Sequence, residues 1–262
     1  MAATTQSIFN RIKRLTGKAI GDFGLIEESD RIAVGMSGGK DSYTLLHILE
    51  ALRKKAPVRF ELIAVNIDSG FPGYHKELLE QHLQQHHFEY QMVATNSYRI
   101  IEEKIRPGTS YCAFCARLRR GFLYAQAEKL ACNKIALGHH LDDFIETLLL
   151  NQFYGGTLAA MSAKLLANNS KHTVIRPLVY VEEAEIQAFS YLQKFPIIHC
   201  SCPAIRIESQ KRQQMKQLVR DLAQDIPEVR NSLISAIGNI QPRHLLDQKL
   251  RKEGWEKSNP EA

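Results

Sequence analysis

The chain has 262 residues, 44% hydrophobic and 24% charged, the balance of a soluble globular protein long enough for one large α/β domain with appendages. No run approaches the length of a membrane span, and the first residues, MAATTQSIFNRIKR, lack the apolar core of an export signal, so a cytoplasmic protein with no membrane partner is expected. The formal charge of +6 suits a polyanionic partner and equally an ordinary solvated surface.

Ser7 to Phe23 carries apolar residues at helical spacing, with Arg11, Lys13, Arg14 and Lys18 on the outer side. A helix covering the sheet is favoured there over one that contacts nucleic-acid phosphates. Ile32 to Met36 reads as a buried strand, Ser37-Gly38-Gly39 as a sharp turn, and the residues from Asp41 as a helix. That order suits a phosphate. Glycines let backbone N–H groups approach an anion, the helix start adds its positive dipole end, and Lys40 adds a full charge. The spacing is neither that of a Walker A loop nor that of a dinucleotide fingerprint.

Phe60 to Ile67 and Phe88 to Ala94 read as further strands around a helix at Tyr74 to His87, and the alternation implies a parallel sheet covered on both faces. Asp68, at the end of the second strand, is a candidate for a nucleotide or its metal, or for capping the next helix. Five cysteines include two close pairs, Cys112/Cys115 and Cys200/Cys202, a pattern for metal or redox chemistry before disulfides. Cys112-x-x-Cys115 stands at a helix start, where two sulfurs share one side and the dipole favours thiolate. Arg117, Arg119 and Arg120 follow, suited to an anionic cluster, a phosphate or tRNA. Cys132 has no close partner and reads as structural.

Lys134 to Leu137 is expected as a fourth strand. It leads into Gly138-His139-His140-Leu141-Asp142-Asp143, whose histidines and carboxylates are candidate metal ligands or simply good helix-start residues for Phe144 to Tyr154. After Gly155-Gly156 the pattern predicts surface loop around a short helix, then a fifth strand at Thr173 to Leu178 and helices at Glu182 to Lys194, Ser209 to Gln224 and Glu228 to Ile240. The Ser209 helix is strongly basic, with Lys211, Arg212, Lys216 and Arg220. The expected division is an N-terminal basic helix over 1–27, an α/β domain with the cysteine segment over 28–200, and a helical region over 201–262.

The stretch SGGKDS matches the SGGxDS signature of the PP-loop ATP pyrophosphatases. Together with CAFCARLRRGFLY, KIALGHHLDDFIETLLLNQFYGG, VIRPL and FPIIHCSC it resembles the tRNA 2-thiocytidine synthetases (TtcA-type), from about the first helix to His244-Leu245-Leu246-Asp247. The resemblance implies a parallel α/β sheet, ATP with Mg2+, a [4Fe-4S] cluster on three cysteines, and replacement of the C2 oxygen of cytidine 32 in tRNA by sulfur. By the same likeness Ser37, Gly38, Gly39, Lys40, Asp41 and Ser42, with Gly138 and Asp143, hold ATP. Lys40 and Asp41 are then the catalytic candidates, Lys40 neutralising charge and Asp41 meeting Mg2+ or capping the helix.

Cys112 and Cys115 would hold the cluster. By the same likeness the third ligand comes from the second pair, Cys202 being preferred with Cys200 as the alternative; both stay open because C-S-C stands here where the relatives often have C-x-x-C. Arg117, Arg119, Arg120, Lys211 and Arg212 are the candidate tRNA contacts. A sulfur donor such as a cysteine desulfurase is an expected partner, and a homodimer is admitted. Three rivals stand beside this expectation: a structural four-cysteine zinc site in a PP-loop enzyme of other specificity, a lysidine-type ligase or other thiolase, and a binding protein without catalysis.

Overall fold

The computed structural model describes residues 5–106, 110–168, 170–198 and 205–248. Its elements, in chain order, are α1 (Thr5–Phe23), β1 (Asp30–Met36), α2 (Lys40–Arg53), β2 (Phe60–Asp68), α3 (Lys76–Gln85), β3 (Tyr90–Ala94), α4 (Ser97–Lys104) and α5 (Tyr111–Lys129). There follow β4 (Lys134–Ala136), α6 (Leu141–Gly155), β5 (Lys164–Leu166), β6 (Thr173–Ile175), α7 (Glu183–Gln193), α8 (Ile205–Asp225) and α9 (Val229–Gly238).

The strands form one sheet in the order β3-β2-β1-β4-β6-β5, parallel except for β5, which runs antiparallel to β6 at the edge. In the centre, Ile32 of β1 lies between Leu62 of β2 and Lys134 of β4. Side chains of β1 alternate between faces. Ile32, Val34 and Met36 enter a core with Ile12 of α1, Tyr43 and Leu46 of α2, Leu83 of α3 and Phe189 of α7. Ala33 faces the other side, with Leu123 and Ala127 of α5 and the buried Cys132. Both faces are therefore covered, as the near-continuous apolar strands require. A third cluster joins Leu141, Ile145 and Leu149 of α6 to Met215 and Val219 of α8 and Val229 of α9.

Two features depart from the sequence expectation. The stretch after Gly156 contains β5, where loop around a short helix was expected, and α4 precedes the cysteine helix. All three residues of β5 are exposed, so it has no apolar periodicity to read. On α1, Arg11 pairs with Glu185 and Lys18 with Asp22, while Ile12, Thr16 and Ala19 are buried. That helix covers the core, as favoured. No helix among the described residues is long and apolar enough to cross a membrane.

A buried ion pair joins β1 and β4 within the sheet. The side chains of Lys134 and Asp30 are each 4% exposed, with Nζ 2.7 Å from Asp30 Oδ2 and 2.7 Å from Glu27 Oε2. Removing one partner strands the other charge in a medium that cannot solvate it. Lys134→Ala should cost about 3–5 kcal/mol in urea unfolding, and adding Asp30→Asn should return part of that loss.

Candidate active site

In a doubly wound sheet the ligand crevice opens at the carboxyl ends of the strands where the winding reverses. Here that point lies between β1 and β4. The turn after β1 is built by hydroxyl contacts: Ser42 Oγ donates to Gly39 O at 2.8 Å, and Gly39 N donates to Ser37 Oγ at 3.2 Å. Gly38 adopts φ +80°, and a Cβ there would meet Ile198 at 3.0 Å. Ile198 N in turn donates to Gly38 O at 2.9 Å, so the segment after α7 closes over the turn. On the β4 side, a Cβ on Gly138 would lie 3.0 Å from Asp41 C and O and 3.2 Å from Ser42 N. Only glycine lets the two backbones approach this closely. The result is an open helix start beside a glycine turn, a fit to phosphate by geometry alone.

Around it lies a cavity of about 730 Å³. Ser37, Asp41, Ser42, Gly138 and Asp143 line it, as do Arg119 and Arg120 of α5 and Arg212 of α8. Those eight candidates converge. Lys40 does not line the cavity; its Nζ lies 3.0 Å from Asp41 Oδ1 and 3.2 Å from Glu183 Oε1. Burial disfavours its charge, yet the two carboxylates outweigh that and raise its pKa. Gly39 is the N-cap residue of α2, so Asp41, inside the first turn, does not cap that helix. Cys112 and Cys115 are half-buried in the first turn of α5, whose start is capped by Ser110 Oγ accepting from Ala113 N. At spacings of three and four, both cysteines share a helix face with Ala116 and Arg119, which line the cavity. Cys200 and Cys202 lie outside the described residues.

The Gly138–Asp143 group serves the helix start, and among the described residues its own histidines and carboxylates do not gather as a set of three metal ligands. Asp143 Oδ2 accepts from His140 N at 3.0 Å, and its Oδ1 pairs with Arg212 at 3.0 Å. Asp142 accepts from Glu183 N at 2.7 Å and pairs with Arg230 at 3.3 Å. Burial, aided by Arg176 and Arg212, lowers the His139 pKa to about 4 against the pull of Asp143, leaving a neutral ring. Asp68 is held elsewhere too, its Oδ1 accepting from Gly70 N and its Oδ2 3.2 Å from Lys76, while His75 is the N-cap of α3. Arg117, Lys211 and Arg220 are exposed, and Lys211 Nζ sits 4.5 Å from the Tyr154 ring centroid.

Sequence reasoning missed two contributors. Arg176, at the end of β6, reaches His139 Nδ1 at 3.2 Å and lines the cavity, so four arginines line it together with Asp41 and Asp143. An arginine at the carboxyl end of a parallel strand was the available signal. Glu146, 5% exposed, lies one turn beyond Asp143, with Arg212 Nε 3.6 Å away.

Comparison with known proteins decides the family. The model of the PP-loop domain matches residues 5–199. The tRNA-cytidine(32) 2-sulfurtransferase of Syntrophotalea carbinolica is 62% identical over 254 residues, 97% of this chain and 98% of that protein. The chain belongs to the PP-loop family, among the tRNA-cytidine(32) 2-sulfurtransferases. A second such sulfurtransferase, from Geotalea uraniireducens, is 55% identical over 96% of this chain and all of that one. In fold the chain is similar to the U34-tRNA thiolase NcsA of Methanococcus maripaludis, solved with its [4Fe-4S] cluster, at a TM-score of 0.73 and 21% identity over 91% of this chain and 81% of that one.

Gly138→Ala should push the start of α2 away, costing about 1–3 kcal/mol of stability and most ATP binding by calorimetry; unchanged ATP affinity would show that the backbone contact is dispensable. Burial raises the Glu146 pKa to about 7 against Arg212, with Asp143 adding to the rise. Such a carboxyl takes up a proton on folding, so stability falls as pH climbs from the ordinary 4.5 to about 7. Glu146→Gln should escape roughly 1–3 kcal/mol of that loss, and parallel stability curves for the two proteins between those pH values would count against it.

Proposed function

We propose that the chain replaces the C2 oxygen of cytidine 32 in tRNA with sulfur, using ATP and Mg2+ and a [4Fe-4S] cluster. The supporting observation is that one cavity joins the phosphate-binding turn to the helix that starts with Cys112 and Cys115. The 62% identical relative named for this activity supports the choice of base.

A carbonyl oxygen on a pyrimidine is a poor leaving group. Attack of that oxygen on the α-phosphorus of ATP expels pyrophosphate and leaves the carbon bonded to an AMP ester; sulfur at the sulfide level (HS−) then attacks C2, AMP departs with the electrons of the C–O bond, and loss of the S–H proton leaves the C2 thiocarbonyl. In this scheme Ser37, Gly38, Gly39 and Ser42, with the start of α2, receive the pyrophosphate, and Gly138 keeps that start close to β4. Lys40, charged through its carboxylate partners, and Arg119, Arg120, Arg176 and Arg212 offset the charge that builds on the phosphates. Asp41 and Asp143 would hold Mg2+ through carboxylate oxygens, and the ion would shield the phosphates. Cys112, Cys115 and Cys202, or Cys200 in its place, would hold the cluster. With three protein ligands, a cluster supplies an iron with an open position for the sulfur to be delivered.

Arg117 and Lys211 are exposed and stand as tRNA contacts for the phosphate backbone. Arg212, bound to Asp143, acts in this proposal at the cavity. The sulfur would come from a donor such as a cysteine desulfurase in the cytoplasm, with a two-electron reductant such as a thiol pair to bring its persulfide sulfur to the sulfide level.

The test measures iron, zinc and acid-labile sulfide in protein purified without oxygen, and 2-thiocytidine in tRNA from cells that rely on this chain. About four iron and four sulfide per chain are expected, both lost in Cys112→Ala and Cys202→Ala together with 2-thiocytidine. About one zinc per chain without sulfide, and unchanged thiolation, would return the cysteines to a structural role.

A further inference from the structure

Two turns along α2 from its phosphate-binding start, three histidines meet. His47 of α2, His82 of α3 and His86 at the C-terminal end of α3 each offer a ring nitrogen, and these atoms all lie within 4.8 Å of one another. His82 and His86 are four residues apart, so one helix face presents both. His47 Nε2 lies 2.9 Å from His82 Nε2, and the His86 ring centroid lies 4.4 Å from that of His82 and 4.9 Å from that of His47. Phe195 stacks on His47 at 5.0 Å and Phe88 meets it edge-on at 5.1 Å, giving the group an apolar wall.

We propose that His47, His82 and His86 form a binding site for a borderline divalent transition metal of the zinc type, separate from the cysteines. A hydrogen bond between two imidazoles needs only two rings; the third, exposed ring supplies both a further donor and a route of entry. Burial, with neighbouring rings adding, lowers the pKa of His47 to about 3 and of His82 to about 4, so both are neutral ligands at pH 7. Three nitrogens without a carboxylate suit zinc and not magnesium or calcium. Tetrahedral bonds of roughly 2.0–2.1 Å set ligand nitrogens about 3.3 Å apart, so His47 and His82 need separate only slightly. The ring that donates between them shifts its proton from Nε2 to Nδ1, with no net proton released. A fourth position is left for water. The metal would tie α2 to α3 beside Phe195, whose segment also holds the phosphate-binding turn.

The test adds Zn2+ to protein purified without oxygen, so that the cysteines carry whatever they bind natively. Zinc uptake, X-ray absorption at the zinc edge and thermal melting are measured for the parent, His86→Ala and His82→Asn. His86 is exposed, so its variant should fold as the parent does. The parent should gain one zinc with only nitrogen and oxygen neighbours and a higher Tm, and His86→Ala should lose more than about 100-fold in affinity. His82→Asn should lose it as well. Sulfur neighbours on the added zinc, or equal uptake and Tm shift in parent and His86→Ala, would overturn the proposal, as would no uptake at zinc concentrations up to about 100 µM, far weaker than structural sites.

Discussion

The contact between Gly138 and the backbone of Asp41 and Ser42 fixes most of what the cavity can be. β4 runs beside β1 in the sheet, and its exit would collide with the start of α2 if any side chain stood at Gly138. Because none does, the turn at Ser37–Gly39 and the helix start of α6 face each other across one crevice. The positive φ of Gly38 is required from a second direction, since Ile198 packs where a Cβ would go and donates its N–H to the Gly38 carbonyl. Two glycines thus set the shape, and the charged residues act within it.

Those charges are arranged as a bridge between elements far apart in sequence. Arg212 and Lys216 of α8 reach Asp143 and Glu183, and Lys40 meets the same Glu183 from the first turn of α2. The Lys216 and Lys40 contacts overcome burial and lower the Glu183 pKa to about 2, so that carboxylate stays ionised throughout the neutral range. Together with the apolar contacts of Met215 and Val219, the bridge seats α8 against α6 beside the cavity. Its basic residues consequently divide: Arg212 and Lys216 turn inward, while Lys211 and Arg220 face outward.

The legible parts of the sequence are those whose signal is local. Ile32 to Met36 followed by Ser37-Gly38-Gly39 announces strand, turn and helix within a dozen residues, and the sheet follows from repeats of that alternation. β5 gave no such signal, because Lys164, Leu165 and Leu166 are all exposed and are ordered by pairing with β6 and by the Lys164 contact to Gly24 O. The inward role of Arg212 was hidden for a different reason. A basic helix has the same pattern whether its cations meet water, phosphate or carboxylates, and here Asp143 stands 69 residues away. The meeting of His47 with His82 and His86 was equally invisible, since a lone histidine carries no periodicity and its partners come from another helix.

The segment Phe195–Ile198 links what would otherwise be two independent regions. Phe195 stacks on Tyr43 with ring centroids 5.2 Å apart, and Tyr43 Oη donates to Pro196 O at 3.1 Å. Three residues after Phe195, Ile198 reaches the Gly38 carbonyl. Tyr43 and Phe195 are nearly fully buried, so neither can shift without disturbing the core. The turn that faces the cavity is therefore held through rigid packing to the outer layer of α2 and α3. A flexible loop of the same composition would keep the glycines and the charges but would have to be ordered by the anion itself, at a cost in binding free energy that this packing has already met during folding.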